Sequence, residues 1–140
     1  MNLEGVWYNE LGSKMQLAVN GASITGTYVT AVGDASGTYP LVGRTETGAV
    51  SSQSVAFVVC WQNSSGNSSS CTAWSGQLQP DASGDDSIAT TWLLTADTEL
   101  SDDWKSTFVG QDVFHRTPPA SPVTKVADLR RQPSHPLTKG

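Results

Sequence analysis

The chain has 140 residues, of which 37% are hydrophobic, enough for one buried core, and nothing in it suggests a second folding unit. Its formal net charge of −5 excludes nucleic acid as the main partner, because phosphate binding needs a basic surface. No apolar run reaches the ~18 residues of a membrane span, and the N-terminus lacks the charged-then-apolar pattern of a secretion signal, which was either removed or never there.

Short segments rich in Val, Thr, Trp, Tyr and Phe alternate with turn-forming clusters, and no stretch carries a helical period. In chain order the predicted strands cover 6–12, 13–20, 23–30, 38–45, 54–63, 70–79, 87–96 and 106–115. In the first, "WYNELGS", alternation puts Trp7, Asn9, Leu11 and Ser13 on one face, so an inward face would bury two polar side chains. Asn20-Gly21 predicts a two-residue hairpin turn with positive φ at both positions. Tyr28 and Thr30 share a face of the third strand, while Tyr39 and Arg44 of the fourth read as packing and surface pairing. The fifth aligns Phe57, Val59 and Trp61, and "NSSGNSSS" then turns the chain. Ser70, Thr72 and Trp74 line up on the sixth, which ends at "PDASGDD". The seventh aligns Thr90, Trp92 and Leu94, and the last puts Asp112 in step with Gly110 and Phe114.

Eight antiparallel strands with short links predict an all-β, up-and-down barrel, which removes exposed sheet edges by closing. A barrel of this size is either filled by its own side chains or holds one small ligand. The inward faces repeatedly set a large aromatic beside a hydroxyl, amide or carboxyl group. A packing core would favour Leu, Ile and Val, since each buried polar group without a partner costs ~1–3 kcal/mol. The mixture describes a preformed pocket with apolar walls and a few converging hydrogen-bonding groups.

Cys60 and Cys71 flank the Ser-rich turn, out of step with Trp61, Ser70 and Thr72, and so project outward about opposite each other if the turn is symmetric. A cross-strand disulfide is the expectation, suited to secretion or a periplasm; the alternative is two free thiols. Two ligands without a nearby histidine make no metal site. Asn63 and Asn67 fit the glycosylation pattern, which a Ser-rich turn also matches by chance. Residues 1–114 hold three cations against twelve acids, whereas the rest holds five cations against one acid and five of the seven prolines. Residues 1–115 therefore read as the barrel and 116–140 as a basic, Pro-rich tail, extended or disordered, able to dock on its own domain or a neighbour's. His115 and His135 lie at or beyond the end of the body, and no nucleophile motif, phosphate loop or metal-spaced cluster supports catalysis.

The segments "GVWYNELGS", "ITGTYVTAVGDA", "YPLVGR", "TAWSGQL", "TTWLLT" and "WKSTFVGQDVF" resemble, in order and spacing over residues 5–114, the avidin and streptavidin family of biotin-binding proteins. The resemblance implies non-catalytic, high-affinity capture of biotin in the open end of each barrel, with no cofactor and no metal. Asn9, Ser13 and Tyr28 match the donors to the ureido carbonyl oxygen; Asp112 and Thr30 match the acceptors of the two ureido N–H groups. Thr72 matches the hydroxyl facing the ring sulfur, Trp61, Trp74 and Trp92 the aromatic walls, and Leu11, Val32 and Leu94 the remaining apolar lining. Ser70 with the backbone of Gly33 and Asp34 matches the valerate-carboxylate site, where the Asp34 charge would repel an anion unless it points away. Phe57 stands where tryptophan is common. Trp104 matches the tryptophan that closes over a neighbouring subunit's ligand and implies a homotetramer, which the tail could extend into a larger assembly. A barrel reused for another small ligand or a protein partner is the runner-up, and a hydrolase of biotin esters a distant third.

Overall fold

A computed structural model describes residues 2–31, 37–62, 70–97, 100–101 and 106–120. Its strands are β1 (Gly5–Tyr8), β2 (Lys14–Asn20), β3 (Ser23–Val29), β4 (Thr38–Thr45), β5 (Gln53–Cys60), β6 (Ser70–Pro80), β7 (Asp86–Ala96) and β8 (Thr107–His115). Each pairs antiparallel with the next, and β8 returns to β1, giving the expected closed eight-stranded barrel. Strict alternation drives this arrangement. In β5, Val55, Phe57 and Val59 are buried while Ser54, Ala56 and Val58 face out, and Trp61 stays in step one residue beyond the strand. The β6 and β7 strands share the longest ladder, from Ser70↔Ala96 to Pro80↔Asp86. Their close approach requires Gly76, where a Cβ would lie 2.0 Å from the Ala89 carbonyl oxygen.

Antiparallel succession puts the connections 9–13, 30–37, 61–69 and 97–106 at one end of the barrel. The other end receives 21–22, 46–52 and 81–85 together with the start of β1 and the end of β8. The hairpin after β2 is shifted from the predicted one. Asn20 pairs with Ser23, so the turn residues are Gly21 and Ala22, and only Gly21 has positive φ, at 62°. Gly at the first central position fits a II′ turn, which needs no left-handed Asn.

The first strand is shorter than the predicted 6–12, and Asn9 is the cause. Its Oδ1 accepts the backbone N–H groups of Leu11 (3.0 Å) and Ser13 (2.9 Å), while the Asn9 N–H donates to the Ser13 carbonyl (3.0 Å). A side chain that satisfies nearby backbone donors in this way competes with the ladder and turns the chain. Leu11 is consequently half-buried rather than in register with Trp7.

A short β1 leaves the seam with β8 joined by the single register pair Tyr8↔His115. Side chains complete the closure. Glu10 Oε2 accepts the Val113 N–H across this seam (3.3 Å), and on the β2 side Glu4 Oε1 accepts the Val19 N–H (3.2 Å). Arg116, which follows β8 directly, donates to the carbonyls of Asn2, Glu4 and Val6 and lies over the Trp7 ring, 3.8 Å from its centroid. Several backbone groups that a longer ladder would pair thus meet a charged side chain instead.

Candidate ligand-binding site

The two halves of the interior differ in chemistry. Leu17, Ile24, Leu78, Ile88 and Phe114 pack toward the end with the shorter connections, whereas Asn9, Ser13, Thr72 and Asp112 are buried polar groups elsewhere in the barrel. Burying polar groups without internal partners is costly, so their bonding pattern decides what they can meet.

Around Asn9 the protein fixes the polarity of each group. The Asn9 amide oxygen is held by two backbone N–H groups, so the nitrogen must point the other way, and Nδ2 lies 3.3 Å from the Tyr28 hydroxyl, to which it donates. Ser13 Oγ accepts the Ala31 N–H at 3.0 Å, so toward a further acceptor it acts through its O–H. Tyr28 OH, accepting from Asn9, likewise turns its own proton outward from that bond. Three preorganised donors of this kind suit one oxygen atom carrying partial negative charge.

Aromatic rings enclose this array. Tyr28 stacks on Trp74 (centroids 5.2 Å apart, 29° between planes) and meets Trp61 edge-on (5.5 Å, 81°). Phe57 stacks on the other side of the set against Trp74 at 5.0 Å and 20°, so it extends the wall even though tryptophan is common at that position in the resembling family. Trp61 Nε1 donates to Thr72 Oγ1 at 2.7 Å, tying the wall of one strand end to the hydroxyl of the next. Leu94 is buried beside Thr72, its register partner.

Asp112 is 2% exposed, as its step with Gly110 and Phe114 predicts. Its Oδ2 accepts the Trp74 indole N–H at 3.0 Å, and its backbone oxygen accepts the Thr90 hydroxyl at 2.8 Å. Trp74 therefore touches both the donor array, through Tyr28, and the one buried carboxylate among the described residues. Trp92 Nε1 is the single buried side-chain polar atom that finds no partner among them. Thr30 and Ser70 are half-buried near the strand ends that lead into the longer connections. Val32, Gly33, Asp34, Trp104, Asn63 and Asn67 lie outside the described residues.

Tyr39 was read as a packing residue, and it is 3% exposed with its ring 5.2 Å from Trp61, edge-on. Its register pairing with Tyr28 brings it to the wall, and the signal for that was its alternation with buried Leu41. No local pattern could have announced the Ala31 N–H as the group that orients Ser13. His115 stands at the end of β8, 3.8 Å from the Asp81 carboxylate and far along the chain from every residue of the array. Cys60 and Cys71 face outward as register partners, as expected, but their sulfurs are 2.7 Å apart as two thiols and not joined.

On the outside, Val42, Val58, Leu93 and Val109 are 41–55% exposed on β4, β5, β7 and β8. Each of these strands thus sets a large apolar side chain on its outer face, and together they form a patch that a solvated barrel wall does not need.

Comparison with known proteins agrees with this architecture. The chain is 38% identical over 122 residues to avidin from Gallus gallus, covering 82% of this chain and 78% of avidin. It is 40% identical over 121 residues to avidin-related protein 4/5 from the same species, with 82% and 77% covered. Afifavidin from Afifella pfennigii is 36% identical over 92 residues, 63% of this chain and 54% of that protein. The sequence model described as the Avidin family matches residues 1–117, and the chain belongs to that family.

Proposed function

We propose that the protein is a non-enzymatic binder that captures biotin within the barrel. The observation that carries this reading is the donor array of Asn9, Ser13 and Tyr28, linked through Trp74 to the buried acceptor Asp112. A urea is a carbonyl oxygen flanked by two N–H groups, so it needs donors on one side and acceptors on the other. The ureido oxygen of biotin meets the three donors, and Asp112 and Thr30 accept its N–H groups. The bicyclic head lies against Trp61, Trp74 and Trp92, with Thr72 facing the ring sulfur and Leu11, Val32 and Leu94 completing the lining. Ser70 and the backbone of Gly33 and Asp34 receive the valerate carboxylate. Because each donor is oriented before the ligand arrives, little ordering cost accompanies binding, and affinity is high. A barrel reused for another ligand would have no need of this urea-shaped set.

Four chains assemble, with the outer apolar face of Val42, Val58, Leu93 and Val109 covered by other copies and Trp104 reaching into a neighbouring site. Exposed apolar patches of this kind mark association surfaces. Cys60 and Cys71 form a disulfide in the oxidising setting of a secreted or periplasmic protein, supported by their register pairing. The tail, 116–140, whose first residue Arg116 is tied to the N-terminal carbonyls, continues as a basic segment that links assemblies or lies over a site. Sequestration of biotin is the role that follows.

Native mass spectrometry of the full chain, with and without excess biotin, tests this reading. Four chains with four biotins are expected, and eight would assign the tail to linkage. A stable assembly that takes up no biotin overturns the ligand assignment.

A further inference from the structure

The cysteine pair lies on the outer side of the strand ends that carry the site wall. Trp61 N–H donates to the Ser70 carbonyl at 2.8 Å, which makes Trp61 and Ser70 a hydrogen-bonded pair of the antiparallel ladder. Hydrogen-bonded and non-hydrogen-bonded pairs alternate, so Cys60↔Cys71 is a non-hydrogen-bonded pair. In that geometry Cα atoms stand ~4.5 Å apart, within the range that a disulfide spans without moving the backbone. Each cysteine is also the chain neighbour of a site residue: Cys60 precedes Trp61, and Cys71 lies between Ser70 and Thr72. The outward sulfurs therefore sit back to back with the inward Trp61 Nε1 to Thr72 Oγ1 bond.

Trp61 lies one residue past the end of β5, so this large wall residue hangs on the last rung of its hairpin among the described residues. Terminal rungs open at little free-energy cost, and a covalent tie across the adjacent pair suppresses that opening. Both cysteines are exposed on the described chain and accessible to small thiols.

We infer that the Cys60–Cys71 pair is a thiol-redox site controlling how long the barrel retains its ligand: the disulfide holds the Trp61 wall closed, and reduction lets it open. The inference rests on the biotin reading for its ligand. Its chemistry is thiol–disulfide exchange with a small-molecule disulfide. One cysteine thiolate attacks a sulfur of the external disulfide and expels one thiol, leaving a mixed disulfide. The second cysteine then attacks the protein-bound sulfur and expels the other thiol. Two protein thiols become one S–S bond, one external disulfide becomes two thiols, and reduction reverses both steps. Partial desolvation and the neighbouring Cys60 push the Cys71 thiol up to about 11, so it is almost wholly protonated at neutral pH and exchange is slow there.

The test uses the full-length protein, oxidised with glutathione disulfide or reduced with dithiothreitol, with intact mass reporting the state. Biotin dissociation is followed by exchange against labelled biotin, and amide hydrogen exchange at Trp61 is followed without ligand. Reduction is expected to speed dissociation about tenfold and to speed Trp61 exchange, because affinity differences within one site fall mainly on the off-rate. Cys60→Ser and Cys71→Ser are expected to show the fast rates under both conditions. Equal off-rates and equal Trp61 exchange in the two forms overturn the redox inference while leaving biotin binding intact. Loss of biotin binding in both forms overturns the ligand reading, and a redox-dependent Trp61 exchange in that case still supports control of the wall.

Discussion

Two parts of the barrel interior are built on opposite rules. Toward the 21–22, 46–52 and 81–85 connections, Leu17, Ile24, Leu78, Ile88 and Phe114 fill the space with side chains that need nothing but contact. Toward the other end, Asn9, Ser13, Tyr28 and Thr72 are as deeply buried, yet each is held by a hydrogen bond: Asn9 to Tyr28, Ser13 from the Ala31 N–H and Thr72 from Trp61. The first part stabilises the fold by ~1.5–3 kcal/mol for each fully buried large apolar side chain. The second contributes less stability and more order. The difference teaches that the packed half supplies the rigidity that lets the polar half hold its donors in place with no ligand present.

Breaking the packed half has the largest expected effect. Phe114 is fully buried and meets Phe57 edge-on at 6.0 Å, so Phe114→Ala removes both its area and an aromatic contact. A cost of ~3–5 kcal/mol is expected. Differential scanning calorimetry then shows a fall in melting temperature on the order of 10–15 °C, while biotin affinity per folded molecule changes only a few-fold. A large loss of affinity at constant stability would show that the two parts are not separable.

Asp112→Ala sharpens the comparison from the other side. The substitution removes an acceptor from the ligand and leaves Trp74 Nε1 without its 3.0 Å partner. Isothermal titration is expected to show biotin affinity lower by ~10²–10³-fold, about 3–4 kcal/mol. The melting temperature moves far less than in Phe114→Ala, because removing a buried carboxylate also removes its desolvation cost. Similar melting losses in the two variants would place Asp112 among the stabilising residues.

The strand pattern was more legible in the sequence than the hydrogen bonds of the site, for a physical reason. Alternation at period two is a local property, and it exposed all eight strands and the inward step of Phe57, Trp61, Trp74, Trp92 and Asp112. The register of the cysteines followed from the same counting. What escaped is whatever depends on a side chain meeting distant backbone. Asn9 looked like one more residue of a strand, but its amide takes two N–H groups and ends β1 at Tyr8. Arg116 was assigned to the tail by the composition around it, and it lies over Trp7 and donates to the N-terminal carbonyls. Tyr39 enters the site wall only through its pairing with Tyr28.

The smallest expected effect separates the cysteine pair from both halves. In the reduced protein the Cys71 thiol is raised from its ordinary 9.0 to about 11, first by desolvation and then by Cys60. Because the folded state holds this proton more tightly than the unfolded one, the associated stability is fully present below pH 9 and is lost as pH rises through about 11. The disulfide form has no thiol to titrate, and every group common to both forms cancels in the difference. Thermal unfolding of reduced and oxidised protein, followed from pH 8 to pH 11.5, is therefore expected to show a gap that widens through this window. The same comparison in Cys71→Ser is expected to show no gap at any pH. A constant gap in the wild type would mean that the cysteines act only by closing a loop, which shifts stability by an amount independent of pH.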